Sequence, residues 1–262
     1  MRATDFEFRY RFFVIVLIYG LGFLFNVFDP VNVSAAVIQA LARSRLEFDF
    51  NPARLWLQLA FLGGSTLIFV GAGIRTWATA YLKAEVVHDS QLHSEGLVVD
   101  GPFRHVRNPL YLSNIFLALG MGTLASRAGF VFIVAVNTLF VFRLIWREEA
   151  ELLAQQGESF RRFCAAVPRL WPSFTPRWPS SAIRPEWGQA FGAEVLFWVF
   201  GAALLSFAVT LRMTIFYAIL ISAFVFDLMA YLLIKRTRIK KSKVVQKSGN
   251  TAREQHTDQN VG

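Results

Sequence analysis

Apolar and charged positions are segregated along this chain of 262 residues, so that long uncharged stretches alternate with short polar ones. A helix of about 20 apolar residues crosses the ~30 Å hydrocarbon core of a bilayer. Stretches of roughly that length predict six spans, over residues 12–28, 55–74, 110–126, 128–142, 195–211 and 213–234. The pattern therefore predicts an all-α fold, a polytopic helical membrane protein with about six transmembrane helices.

The polar breaks between the spans divide the chain into regions. Residues 31–42 form a short apolar piece, and residues 43–54 are too charged and too interrupted to cross, so we expect a connecting loop in the membrane interface. Residues 143–163 carry leucines and charges at helical spacing, which predicts that the fourth span continues as a helix beyond the bilayer. The predicted regions are an N-terminal span and loop (1–54), a core of three spans plus an amphipathic helix (55–172), a Pro/Trp-rich interfacial segment (173–190), a C-terminal helical hairpin (191–234) and a basic, disordered tail (235–262).

Composition and charge narrow the classes of function. With 55% hydrophobic residues, the chain is too apolar for a soluble domain of this length. The net charge of +9 is concentrated in residues 235–247, where seven Lys or Arg occur without an acid. Such a run beside a span is attracted to anionic headgroups, which predicts membrane lipids and no nucleic acid as partners. The single cysteine, Cys164, predicts no intrachain disulfide, and four scattered histidines predict no metal site.

The basic run also predicts the orientation, because positive segments beside spans stay in the cytoplasm. With six spans, the polar segments 75–109 and 147–190 then lie on the same, cytoplasmic side. The number of spans before residue 55 stays open, but changing it leaves the two segments together.

The first polar segment ends in the sequence GPFRHVRNPLY, residues 101–111, which we call the connector. Its Gly-Pro and Asn-Pro pairs are turn dipeptides, and Pro109 suits the first turn of the following helix. A helix N-terminus carries unpaired N–H groups and a positive dipole end, and Arg104 and Arg107 add permanent charge. The connector is therefore suited to an anionic group. Arg104 and His105 also fit a simpler role as topology anchors.

The second polar segment begins with Glu148 and Glu149, where the fourth span leaves the membrane. Two acids opposite a basic connector match a ligand that carries a carboxylate, a cationic centre and hydroxyl groups, such as S-adenosylmethionine. A phospholipid headgroup fits the same charges nearly as well. Alternatively, the two acids form an exposed helix face and pair with Arg143, Arg147 or Arg161.

The sequences LVVDGPFRHVRNPLYLSN and REEAELLAQQGESFRRFCAAVPRLWP, separated by two apolar spans, together resemble the isoprenylcysteine carboxyl methyltransferase and phospholipid N-methyltransferase group of integral membrane enzymes. The resemblance covers about residues 70–172. The group's signature positions are occupied by Leu97, Gly101, Pro102, Arg107, Pro109, Tyr111, Glu148, Glu149, Leu152 and Gly157. Phe103, Asn108 and Phe160 depart from it, where the group has Tyr, His and Tyr. Asparagine does not titrate, so no proton transfer is expected at position 108.

The resemblance implies a methyltransferase with an S-adenosylmethionine site that faces the cytoplasm. The residues it implies for cofactor binding are Leu97, Gly101, Pro102, Phe103, Arg107, Asn108, Pro109, Tyr111, Glu148 and Glu149. Arg107 and Glu149 are the candidate catalytic residues. Arg75, at the end of the second span, either contacts the substrate or extends to the interface.

The acceptor implied by the resemblance is a lipophilic molecule or a lipid-modified group, such as an isoprenylcysteine carboxylate or a related lipid. A carboxylate acceptor needs no general base, whereas an amine, thiol or hydroxyl must lose a proton. Two other hypotheses stay open: a membrane NADPH-dependent reductase of the sterol-reductase type, and a non-enzymatic membrane scaffold. The oligomeric state is not predicted.

Overall fold

The computed structural model describes residues 2–43, 53–82 and 98–229, with the side chains of residues 41–43 and 53 excepted. Over these residues the chain is helical and contains no strand, which confirms the all-α prediction. The helices are α1 (Asp5–Arg9), α2 (Arg11–Leu24), α3 (Val33–Arg43), α4 (Ala53–Tyr81), α5 (Pro109–Gly122), α6 (Arg127–Gln156), α7 (Glu158–Ala166), α8 (Trp187–Thr210) and α9 (Met213–Met229). Single 3-10 turns occur at Phe25–Val27 and Gly101–Arg104.

Three helices, α4, α6 and α8, are long and apolar enough to cross a membrane. Shorter apolar helices lie at the other three predicted spans: α2 with its 3-10 turn, α5 and α9. The protein is therefore an integral helical membrane protein. The third predicted span is shorter in the structure, since α5 has 14 residues and ends at Gly122 in a tight turn closed by the Ser126 hydroxyl, the N-cap of α6.

Helix α4 lies at the centre of the bundle and makes its most extensive contacts with α8 and α5, while α6 packs on α5 and α2. Close helix approach depends on glycines. A Cβ placed on Gly120 would lie 2.6 Å from the carbonyl oxygen of Gly64, so α4 and α5 meet backbone to backbone. A Cβ on Gly129 would lie 2.3 Å from the carbonyl oxygen of Gly22 on α2. Small residues at helix crossings let van der Waals contact hold the bundle in lipid.

The expectation of a plain loop over residues 31–54 is wrong for its first part, because residues 33–43 form α3; residues 44–52 lie outside the described part. Helix α3 packs on α4 and α6. Its start closes the α5–α6 turn: Asn32 Nδ2 donates to the carbonyls of Thr123 and Ala125, both at 3.0 Å. These hydrogen bonds pair carbonyl groups of the turn and fix the start of α3.

The predicted helical extension of the fourth span is broken in the structure. Helix α6 runs to Gln156, Gly157 takes a φ of +55°, and α7 begins at Glu158. That backbone conformation is open to glycine and strained for other residues, so the break lies at the glycine. Helix α7 then buries Phe160 and Phe163 against Val99 and Val167, next to the connector.

Residues Thr214–Gly262 form a second compact unit, and α9 covers the whole of its described part. Within α9 the rings of Phe216 and Tyr217 are in edge contact, with centroids 5.4 Å apart. The regional boundaries predicted from the sequence stay predictions.

Candidate functional site

The connector begins with a backbone shape that requires glycine. Gly101 has a φ of +60°, and a Cβ there would lie 2.3 Å from the ring of Tyr81 at the end of α4. The preceding Asp100 accepts hydrogen bonds from the Ser180 hydroxyl at 2.7 Å and from the Ser181 amide at 2.9 Å. Burial of Asp100 opposes ionisation, but these hydrogen bonds prevail and hold the pKa of the carboxyl below its ordinary value.

The connector pairs by its backbone with residues 168–178, which we call the proline-rich loop. The amide of Arg107 donates to the carbonyl of Pro168 at 2.9 Å, and the amide of Ser173 donates to the carbonyl of His105 at 2.9 Å. Side chains add to this contact, since Arg104 Nε donates to the carbonyl of Trp178 at 2.7 Å and His105 Nδ1 lies 2.8 Å from the carbonyl of Ser173. In the structure Arg104 and His105 thus hold the proline-rich loop.

Glu149 joins the two polar segments. Its Oε1 accepts from Arg107 Nε at 3.2 Å and from Asn108 Nδ2 at 3.0 Å. Its Oε2 accepts from Arg169 Nη2 at 2.8 Å and Nε at 3.0 Å. The side chains of Arg107 and Glu149 are only 10% and 12% exposed, so solvent screens this ion pair weakly. The two polar segments therefore meet, on a carboxylate that holds two guanidinium groups.

The adjacent acid, Glu148, points elsewhere. Its Oε1 accepts a hydrogen bond of 2.6 Å from the hydroxyl of Tyr111, and the ring of Tyr111 is buried in the core between α2, α5 and α6. Neither residue belongs to the described lining of the two clefts beside Arg107 and Glu149. Two neighbours on a helix are about 100° apart around its axis, so only one of the two acids faces the connector's arginine.

The exposed-face alternative for these acids is wrong for Glu149. The three arginines it would pair with have other partners: Arg143 binds Glu7 at 2.7 Å, Arg147 binds both Asp5 at 2.7 Å and Glu151 at 2.8 Å, and Arg161 lies 3.8 Å from Glu158.

Two adjoining clefts open beside this network. The first, of about 660 Å³, is lined by Arg107 and Glu149 together with Arg2, Trp146, Ala150, Leu153, Phe160, Arg161, Cys164 and Arg169. The second, of about 700 Å³, is lined by residues of the proline-rich loop, with Arg177, and by residues 164–167 of α7 and its end. Arg107, Cys164 and Arg169 line both. Burial raises the pKa of the Cys164 thiol above its ordinary value.

The predicted site residues thus divide by location. Arg107, Asn108 and Glu149 are in direct contact, whereas Gly101, Pro102, Phe103 and Pro109 shape the backbone of the connector. Tyr111 and Glu148 contact each other inside the bundle, and Leu97 lies outside the described residues.

Arg75 lies inside the bundle and has a partner that the sequence did not suggest. Its Nε donates to Glu194 on α8, a side chain with no exposed surface, and its Nη1 donates to Asn114 Oδ1 at 3.3 Å. The other oxygen of Glu194 accepts from the Thr79 hydroxyl at 2.8 Å. An acid in an apolar span is a signal that sequence reasoning could have used, because such residues are expensive without a partner. Arg169, the second guanidinium on Glu149, has no such signal, since it follows Glu149 by 20 residues and a helix break.

The connector and Glu149 lie in a part of the chain that is similar to a known protein family. Residues 59–156 match the phospholipid methyltransferase family. The match confirms the resemblance predicted from the paired motif, and it runs from α4 to the end of α6 over less than half of the chain. What is shown is therefore the similarity of this region to a family described as phospholipid methyltransferases. Helix α8 and Arg169 lie beyond it.

Two curated relatives are distant. The chain is 25% identical over 144 residues to the nickel-cobalt-cadmium resistance protein NccN of Alcaligenes xylosoxydans xylosoxydans, covering 53% of this chain and 61% of the relative. It is 27% identical over 118 residues to the cobalt-zinc-cadmium resistance protein CzcN of Cupriavidus metallidurans, covering 45% of this chain and 50% of the relative. The matched segments thus span about half to three fifths of these relatives. No solved structure matches the chain.

Proposed function

We propose that the protein is an integral membrane methyltransferase that binds S-adenosylmethionine in the first cleft and methylates the polar end of a lipophilic acceptor in the second. The observation that carries this proposal is that the two clefts adjoin and share Arg107, which Glu149 holds in place. A group transfer needs two neighbouring sites with a common boundary, because the reacting atoms must come within about 3–3.5 Å.

The residues of the first cleft fit S-adenosylmethionine. Its volume of about 660 Å³ lies within the usual range of small-molecule sites, about 300–1,000 Å³. Trp146, Leu153 and Phe160 offer apolar surface for a purine ring, and the arginines offer donors for a carboxylate. In the described part of the chain, Nη2 of Arg107 and Nη1 of Arg169 have no hydrogen-bond partner and remain available to a ligand.

In this arrangement Glu149 does not contact the ligand directly. Its two oxygens already accept four hydrogen bonds, so it acts as a positioning residue that fixes the two guanidinium groups. Asn108 shares its Oε1 and takes the place of the titratable histidine of the family pattern. Arg107 is then the catalytic residue, which holds an anionic group against the reacting atoms.

The bound cofactor supplies an electrophilic methyl group on a sulfonium, and the chain orients the acceptor and excludes water. Glu149 is the one carboxylate in the described lining of the two clefts, and its lone pairs are occupied by donors. A free general base is therefore lacking among these lining residues. This favours an acceptor that is already anionic at neutral pH, such as an isoprenylcysteine carboxylate or a related acidic lipid.

The acceptor reaches the second cleft from the membrane. The proline-rich loop carries two exposed aromatic residues. Trp171 is 87% exposed, and Phe174 is fully exposed. Aromatic side chains suit the depth of the headgroups, so the loop marks the membrane surface. Arg75 is not in the described lining of either cleft. It is proposed to contact the part of the acceptor that extends into the bundle, through the guanidinium nitrogen that neither Glu194 nor Asn114 engages.

Binding of S-adenosylhomocysteine to the purified protein tests the cofactor. Cys164 is the single cysteine of the chain and lines both clefts, so its alkylation by a maleimide reports on occupancy. We expect S-adenosylhomocysteine to slow the labelling of the wild type and not that of Arg107→Ala. Protection by NADPH instead would favour the reductase, and protection by neither nucleotide would favour the scaffold.

The acceptor is identified by transfer of a labelled methyl group from S-adenosylmethionine into a host membrane extract, followed by mass spectrometry of the labelled product. A labelled lipid carboxylate or phosphate ester supports the proposal, and a labelled amine contradicts the argument from the missing base. The cytoplasmic orientation is tested with a membrane-impermeant maleimide. It should label Cys164 in inverted vesicles and not in intact cells.

A further inference from the structure

A segment far from the family-matched region reaches the first cleft. Residues 2–10, which we call the N-terminal strap, lie against the end of α6 that carries Glu149, and Arg2 lines the first cleft together with Arg107 and Glu149. The strap precedes the first predicted span and lies outside residues 59–156. It therefore offers the cofactor site a residue that the family match does not cover.

The backbone of the strap is fastened to α6. The amide of Ala3 donates to the carbonyl of Arg143 at 3.1 Å, and Arg147 Nη1 donates to the carbonyl of Ala3 at 3.4 Å. Ala3 and Phe8 are buried in the core cluster between α2 and α6. The guanidinium of Arg147 also lies over the Phe8 ring, 4.7 Å from its centroid. Arg2 therefore directly precedes a residue whose position is fixed.

Side chains close the strap upon itself and upon α6. Thr4 and Glu7 form a reciprocal capping box, in which the Thr4 amide donates to Glu7 at 2.7 Å. Glu7 also accepts from Arg143 Nη2 at 2.7 and 2.9 Å, and Asp5 binds Arg147 at 2.7 Å. These contacts lie on one row of α6, with residues four apart. The cleft residues Trp146, Ala150 and Leu153 lie on the adjacent row of the same helix, next to the row of Arg143 and Arg147.

Arg2 differs from the other cations of the first cleft. Arg107 and Arg169 are tied to Glu149, and Arg161 lies 3.8 Å from Glu158. Within the described chain, Arg2 has neither an ion pair nor a hydrogen bond. The cleft thus has four guanidinium groups against the single carboxylate of Glu149, and one of the four is uncommitted.

We propose that Arg2 binds the carboxylate of the cofactor's amino-acid group and that the strap holds it there. The inference rests on the proposed function and names an additional ligand-binding residue for it. Arg2 lines the first cleft and is not part of the described lining of the second, which places it with the cofactor and not with the acceptor. A guanidinium suits this task because its planar donors match a carboxylate.

The test compares two ligands that differ only in the carboxylate: S-adenosylhomocysteine and its decarboxylated analogue. Their dissociation constants are measured by calorimetry on the full chain in nanodiscs. We expect Arg2→Gln to weaken S-adenosylhomocysteine about fivefold, as for a solvent-accessible charged pair, and to leave the analogue unchanged. The matched control is Arg9→Gln, which removes the same charge from the same strap and should change neither constant.

A second variant tests the strap. Glu7→Ala removes the capping box and the contact with Arg143, so it should weaken S-adenosylhomocysteine in the wild-type background and add nothing in the Arg2→Gln background. Equal loss for both ligands in Arg2→Gln, no loss at all, or additive effects of the two substitutions would each overturn the inference. If the wild type binds neither ligand, the proposed function itself fails. That result is distinct from binding that Arg2 does not influence.

Discussion

Replacing Glu149 by glutamine is the most direct perturbation of the candidate site. The isosteric amide keeps one acceptor oxygen, which can retain the fork of Arg169. Its NH₂ group then faces Arg107 Nε and Asn108 Nδ2, both donors. Two hydrogen bonds are lost, both of them charge-assisted because they end on the carboxylate, and the guanidinium of Arg107 is left without its compensating charge.

The expected loss in the free energy of unfolding follows from the burial of the Arg107–Glu149 pair. A hydrogen bond to a charged group contributes about 1.5–3 kcal/mol, and the two lost bonds share one carboxylate oxygen, so their contributions do not add in full. The exposures of 10% and 12% admit little water to replace them. Since the carbonyl of Cys164 still accepts from Arg107 Nη1, we expect a loss of about 2 kcal/mol in the free energy of unfolding. For a chain of this size that corresponds to about 4–8 °C in the melting temperature.

Thermal denaturation in detergent, followed by tryptophan fluorescence with and without S-adenosylhomocysteine, measures both consequences. The ligand should raise the melting temperature of the wild type and raise that of Glu149→Gln by much less, because Arg107 is no longer held. The matched control is Glu151→Gln on the same helix, whose contact with Arg147 is a partly exposed i,i+4 pair that contributes less than about 1 kcal/mol. Equal shifts for the two variants would refute the reasoning.

Three further predictions concern other parts of the structure. Glu194→Ala leaves the guanidinium of Arg75 uncompensated inside the bundle, and it should lower the free energy of unfolding by about 3–5 kcal/mol in a denaturant titration; a loss under 1 kcal/mol would contradict the buried ion pair. Gly101→Ala meets both a φ of +60° and the ring of Tyr81, so it should lower the melting temperature by at least several degrees, and a neutral result would show that the turn can relax. Cys164 should react with iodoacetamide more slowly at pH 8 than glutathione does, since the thiolate is the nucleophile and burial raises the pKa of this thiol; its rate should still be rising at a pH where a free thiol has levelled off, and an early plateau would contradict the shift.

Much of the architecture could be predicted from the order of apolar and polar residues. A bilayer admits helices of about 20 apolar residues because backbone groups must be satisfied within the segment, so uncharged windows translate into spans with few alternatives. The six apolar helices accordingly lie at the six predicted positions. The ends and interruptions of helices were harder to predict from the sequence. Both α3 and the break at Gly157 depend on contacts with distant residues, such as the hydrogen bonds of Asn32 to the α5–α6 turn.

The candidate site shows the same division. Contact between the two polar segments was expected from topology, because the six predicted spans put both segments on one side of the membrane. Which atoms meet did not follow, since a basic connector and two adjacent acids allow several pairings. The helical rotation of about 100° per residue turns Glu148 toward Tyr111 and Glu149 toward Arg107, and the sequence alone left that choice open.

By itself the sequence determined that the chain forms apolar helices of a membrane protein. It also determined that residues 59–156 match the sequence pattern of the phospholipid methyltransferase family. Local hydrophobicity and short motifs carry that information. Only the tertiary structure decided which groups face one cleft, bringing Arg2, Arg107 and Arg169 around Glu149 from three separate parts of the chain. The reason is physical: hydrogen bonds and ion pairs act over a few ångströms, and only folding sets which distant residues come within that range.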